Sequence, residues 1–146
     1  MTRAQVLGAA AVVLLGCATG PRAWVVSGNA SSEWASRAVA LAEEVRRVRR
    51  PLEPWGGTIF VHPDRFPCCP YDGQPCGTCA GWQPARGRVE VAWTPDPLGA
   101  DSTLGHELCH AACRPFLTSG ANGCSEEEAD ACGRLAVQLT LERLVP

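Results

Sequence analysis

Apolar positions recur along this chain with two different periods, and the changes of period mark out its elements. Trp34, Ala38, Leu41, Val45 and Val48 fall at three- and four-residue steps, which predicts a helix with one buried stripe. Ser31 or Ser32 can cap its start. Arg46, Arg47, Arg49 and Arg50 suit its negative end, and Pro51 stops it. Thr58-Ile59-Phe60-Val61, between Gly57 and Pro63, reads as a short strand, and Arg88 to Trp93 alternates as a second one. Pro95, Pro97 and Gly99 turn the chain into another helix, which Asp101 or Ser102 can cap and Arg114-Pro115 can end. A last helix opens at Ser125, where Glu128 completes a capping box. Phe66 to Pro84 shows no periodicity and is expected to be a cysteine-rich loop. The order helix, strand, loop, strand, helix, helix predicts one small α+β domain.

The first residues carry an address. Arg3 precedes the apolar run Val6 to Gly16, which is too short for an ordinary membrane span and reads as a secretory leader. Leu14-Leu15-Gly16-Cys17 resembles a bacterial lipobox, which implies cleavage before Cys17 and lipid on that residue. Ala18 in the next position points to the outer membrane, facing the periplasm. Simple secretion, with cleavage near Ala18 or Ala23, is the alternative. The expected organisation is a leader over 1–16, a tether over 17–30 and a folded domain over 31–146. The formal charge is −2, and no basic patch argues for a nucleic-acid partner.

His106-Glu107-Leu108-Cys109-His110 carries the chemistry. In a helix, residues four apart share a face, so both imidazoles point to one place and can take two corners of a zinc tetrahedron. Glu107 then lies where a base is needed to take a proton from water. His106, His110 and Cys113 form one stripe, and Leu104, Leu108 and Ala111 form the opposite one, so both sides of this helix are expected to be covered. In the last helix, Glu126 and Asp130 share a stripe with Gly133 and Val137, apart from Glu127, Arg134, Gln138 and Glu142. Gly133 would let another helix approach closely. Glu126 is therefore the expected third metal ligand, with Glu127 or Glu128 as fallbacks, and Asp130 is the expected acceptor for the second N–H of a ligand histidine.

H-E-x-x-H followed by E-x-x-A-D, here Glu126 to Asp130, resembles the gluzincin branch of zinc metallopeptidases over about residues 101–140. That resemblance implies a zincin-like domain with zinc on His106, His110 and Glu126, Glu107 as catalytic base and Asp130 orienting a ligand histidine. It also implies a peptide or protein substrate. A strand beside the metal helix often binds peptide by strand addition in such enzymes, and residues 88–93 are the expected edge. Trp82 or Trp93 is a candidate cleft residue, with core packing the preferred role of Trp93. Tyr71 and His62 are the available candidates for polarising a carbonyl, although a surface position at a strand end is the simpler reading of His62. A different class of function also fits: a non-catalytic, disulfide-rich binding lipoprotein with structural zinc or none. An amidase acting on cell-wall peptides would share the ion and the base.

Setting Cys17 aside, the nine cysteines leave eight, an even number that suggests disulfides in an oxidising compartment. Cys68, Cys69, Cys76 and Cys79 form one group, and Cys109, Cys113, Cys124 and Cys132 another. Pairing within each group is expected, with Cys113 joined to Cys124 and Cys109 to Cys132 across the two site helices. Cys76-x-x-Cys79 as a zinc knot or redox pair is the competing reading.

Overall fold

The structure is a computed structural model that describes residues 23–50, 55–69, 75–85, 87–93, 97–113 and 124–144. Cys17 and its leader, Tyr71 and the Arg114-Pro115 helix stop lie outside the described residues.

Strand β1 (Trp24–Gly28) leads into helix α1 (Ser32–Arg49) and then β2 (Gly57–His62). Two short strands follow, β3 (Phe66–Cys68) and β4 (Gly77–Cys79), then β5 (Gly81–Ala85) and β6 (Arg88–Ala92). Helices α2 (Pro97–Cys113) and α3 (Glu126–Leu144) close the chain. The main sheet has the order β1-β2-β6-β5. β1, β2 and β6 are parallel, and β5 pairs antiparallel with β6 as an edge strand.

Ile59, Val61, Val89 and Val91 point to one face of this sheet and are buried there under the helices. The stripe expected on α1 forms that contact: Trp34, Ala38, Leu41 and Val45 are buried and Val48 packs against them. Ser31 caps α1, its side chain accepting from Trp34 N at 3.2 Å. Trp93 joins the same core edge-on to Trp34, with ring centroids 5.8 Å apart. On the other face, Phe66, Cys68, Cys79, Ala92 and Trp82 make a second, smaller cluster around the β3–β4 ribbon.

Several expectations need correction. The sheet takes up Trp24–Gly28 from within the segment expected to be a tether. Trp24 is buried against Trp55, with centroids 5.0 Å apart. The stretch expected to be loop holds β3, β4 and most of β5. α2 begins at Pro97, where a missing N–H costs nothing, rather than at Asp101 or Ser102. Asp101 lies one turn inside the helix, buried, and accepts from Arg37 Nε of α1 at 2.8 Å. Residues 88–93 are not an edge, because β6 is hydrogen-bonded to β2 on one side and β5 on the other. The outer strand of the sheet on the α2 side is β5.

All four disulfides fall within the two cysteine groups: Cys68–Cys79, Cys69–Cys76, Cys109–Cys132 and Cys113–Cys124. The first two hold the small ribbon, which has too few residues to build a core of its own. The last two fasten α2 to α3 along the length that carries the candidate site.

Candidate metal centre

Three elements place the site. β6 delivers the chain to α2, whose Leu104 and Leu108 are fully buried in the core. That anchoring turns His106 and His110 toward α3. α3 is started by the expected capping box: Ser125 N donates to Glu128 Oε2 at 2.9 Å and Glu128 N donates to Ser125 Oγ at 3.2 Å. The backbone and side-chain bonds from Ser125 hold the Glu128 carboxyl below its ordinary value. Glu128 is thereby committed to the cap, which leaves Glu126 to face the rings.

The two helices cross at glycine. A Cβ on Gly133 would lie 2.8 Å from His106 N and 2.9 Å from Gly105 C, so the backbones themselves are in contact. This is the close approach expected of Gly133, and its partner is Gly105.

His106 Nε2 and His110 Nε2 are 3.0 Å apart. Glu126 Oε2 is 3.1 Å from His106 Nε2, and Glu126 Oε1 is 3.3 Å from His110 Nε2. His106 Nδ1 donates to Asp130 Oδ1 at 2.7 Å. A carboxylate can only accept, so this bond places the ring proton on Nδ1 and turns the Nε2 lone pair toward His110 and Glu126. A cation at the point where these atoms converge would be held by all three side chains. The spacing fits a metal. Atoms bonded at about 2.0–2.1 Å to a tetrahedral zinc lie about 3.3 Å from one another; here the two Nε2 atoms are 3.0 Å apart, and each has a different oxygen of Glu126 within 3.3 Å. His106, His110 and Glu126 are a group that can hold a metal ion, with one ligand atom from each lying within 4.8 Å of the others.

No family model, curated protein or solved structure matches this chain. The site is therefore read from its own geometry.

The expected ligands and the outer carboxylate meet in one place. The burial of the cluster is uneven. His110 is buried, but the side chains of Glu126 and Asp130 are 74% and 54% exposed, so the site opens toward solvent at the start of α3. Glu107, next to His106 on α2, lies against Gly81 of β5. His62 is elsewhere: its Nε2 donates to Glu90 Oε2 at 2.8 Å, and its ring stacks on Phe66 with centroids 4.0 Å apart. Trp82 belongs to the cluster on the face away from the helices, so it does not line a cleft at the metal ligands. Gly105 and Gly81 are site-shaping residues that the sequence reading passed over. A glycine one residue before the H-E-x-x-H motif was the available signal for the first.

Asp130→Ala is expected to weaken metal binding at this cluster about 10–100-fold, the usual cost of losing such an outer partner. Competition against a chromophoric chelator measures this. An unchanged affinity would show that Asp130 does not orient His106.

Proposed function

We propose that this protein is a zinc-dependent metallopeptidase of the gluzincin kind. The observation that carries the reading is the meeting of His106, His110 and Glu126 within reach of one ion, with Glu107 next to His106 in the chain. Zinc bound by such a set acts as a Lewis acid and makes water acidic enough to ionise near neutral pH.

The chain's own residues supply the rest. Glu107 takes the proton from the attacking water and passes it to the leaving nitrogen. Asp130 keeps the His106 tautomer that leaves Nε2 unprotonated. β5 is an edge strand next to the site, and an extended peptide can pair with such an edge through its main chain. The exposed carboxylate of Glu126 leaves the ligands accessible to substrate from the α3 side.

With lipid on Cys17, the protein would act in the bacterial envelope. Only Ala18 to Ala23 would separate Cys17 from β1. Six extended residues reach about 20 Å, so the domain would work close to the membrane surface. No helix among the described residues is long and apolar enough to cross a membrane.

The non-catalytic alternative draws support from His62, which is bonded to Glu90 instead of standing at the metal ligands. Zinc titration of the purified protein, followed by incubation with a quenched-fluorescence peptide library, separates the two. One equivalent bound together with cleavage is the expected result. One equivalent bound with no cleavage of any library member would favour the binding protein.

A further inference from the structure

We propose that Gly81 is a positioning residue: by having no side chain, it lets β5 seat the Glu107 carboxylate at the metal site. This rests on the hydrolase reading above. The contact itself does not.

β5 crosses α2 at Gly81. A Cβ there would lie 2.5 Å from Thr103 Cγ2, 2.8 Å from Glu107 Cγ and 2.8 Å from Glu107 Oε1. Thr103 and Glu107 are four residues apart and share one face of α2. The backbone of the edge strand is therefore laid on the stem and the carboxylate of the proposed base. His106 and His110 are not among the atoms that the added carbon would meet.

The atoms around Gly81 differ in kind from those around Gly133. At Gly133 the neighbours are backbone, so a helix must move. At Gly81 they are side-chain atoms. Thr103 is branched at Cβ and stiff about χ1, whereas Glu107 turns about three bonds. An alanine at position 81 must therefore turn Thr103 or shift β5 at the closest contact, and it displaces Glu107 at the other two. His106 and His110 are not in contact with the added carbon, so the base moves while the two histidines keep their place. A misplacement of about 1 Å at a reacting group can lower the rate on the order of 100-fold. Gly77 offers a matched control, since a Cβ there meets nothing within 4 Å.

The test compares Gly81→Ala with Gly77→Ala in the full chain. Zinc affinity is measured by chelator competition, and kcat and KM on a quenched-fluorescence peptide cleaved by the parent. The carboxyl signal of Glu107 is followed by carbon-13 NMR of glutamate-labelled protein and assigned by its loss in Glu107→Gln. Gly81→Ala is expected to bind zinc as the parent does, to lose about 10–100-fold in kcat with KM little changed, and to shift the Glu107 carboxyl signal. Gly77→Ala is expected to change none of these. If Gly81→Ala does not fold, the substitution is repeated in Thr103→Ser, which removes the closest contact and leaves the Glu107 contact to be tested alone. A Gly81→Ala protein with parental kcat, or with an unmoved Glu107 signal, overturns the proposal. A parent that binds zinc and cleaves nothing overturns the hydrolase reading instead, and the carboxyl signal then decides this inference by itself.

Discussion

Glu107→Gln is expected to bind one zinc per chain with parental affinity and to hydrolyse peptides about 10²–10⁴-fold more slowly, the usual contribution of a general base. The substitution keeps the shape of the side chain, so the contact with Gly81 and the packing of α2 are preserved. What it removes is the ability to accept a proton. The candidate ligands His106, His110 and Glu126 are untouched, so metal content and rate should separate. Metal analysis of the dialysed protein beside kcat on a cleaved peptide gives both numbers. Loss of zinc together with activity would mean that Glu107 is part of the metal set. Parental hydrolysis would refute its role as base.

The separation has a structural origin. Glu107 and the two histidines belong to one helix but not to one stripe. The histidines look toward α3, while Glu107 lies under β5. The candidate ligands and the proposed base are thus placed by different neighbours, α3 for the first and β5 for the second. Changes at the α2–α3 crossing should act on affinity, and changes at the β5–α2 crossing on rate.

How far this arrangement was legible in the sequence depends on how local its causes are. α1 and the start of α3 were legible because caps and helical stripes are short-range signals: Ser31 and the Ser125–Glu128 box do what their spacing implies. The pairing of Cys113 with Cys124 and of Cys109 with Cys132 followed from placing two helices side by side. β5 was not legible. Its sequence, Gly81-Trp82-Gln83-Pro84-Ala85, contains a glycine and a proline, and Pro84 is tolerated on an edge strand whose register shifts between Trp82 and Ala85. Its strand state comes from pairing with β6, which no local pattern shows. The same omission made residues 88–93 look like an edge. β3 and β4 have three residues each and are held by cysteines, so no periodicity could develop. β1 hides behind small residues, with Trp24 the one buried residue of its five.

Gly133→Val tests the other crossing. The three atoms nearest a Cβ at position 133 are His106 N, Gly105 C and His106 Cα, at 2.8, 2.9 and 3.2 Å, and all are backbone. No rotamer change relieves such a contact, so α3 must move away from α2. The neighbouring Cys132 is tied to Cys109, and Cys124 is tied to Cys113, so the helix resists that movement close to the substitution and at its start. Overpacking of this kind costs about 1–3 kcal/mol. Glu126 and Asp130 share the Gly133 stripe, so the displacement carries the third ligand and the His106 partner away from the rings. Gly133→Val is expected to unfold at lower denaturant concentration and to bind zinc at least about 10-fold more weakly, as loss of outer-partner geometry alone would require. Leu135→Ala, on an exposed position of the same helix, should change stability by no more than about 0.5 kcal/mol. Denaturant titration and chelator competition on both variants decide the matter. If Gly133→Val keeps parental zinc affinity, the contact between the helix backbones does not set the ligand spacing, and the disulfides must hold Glu126 in reach without it.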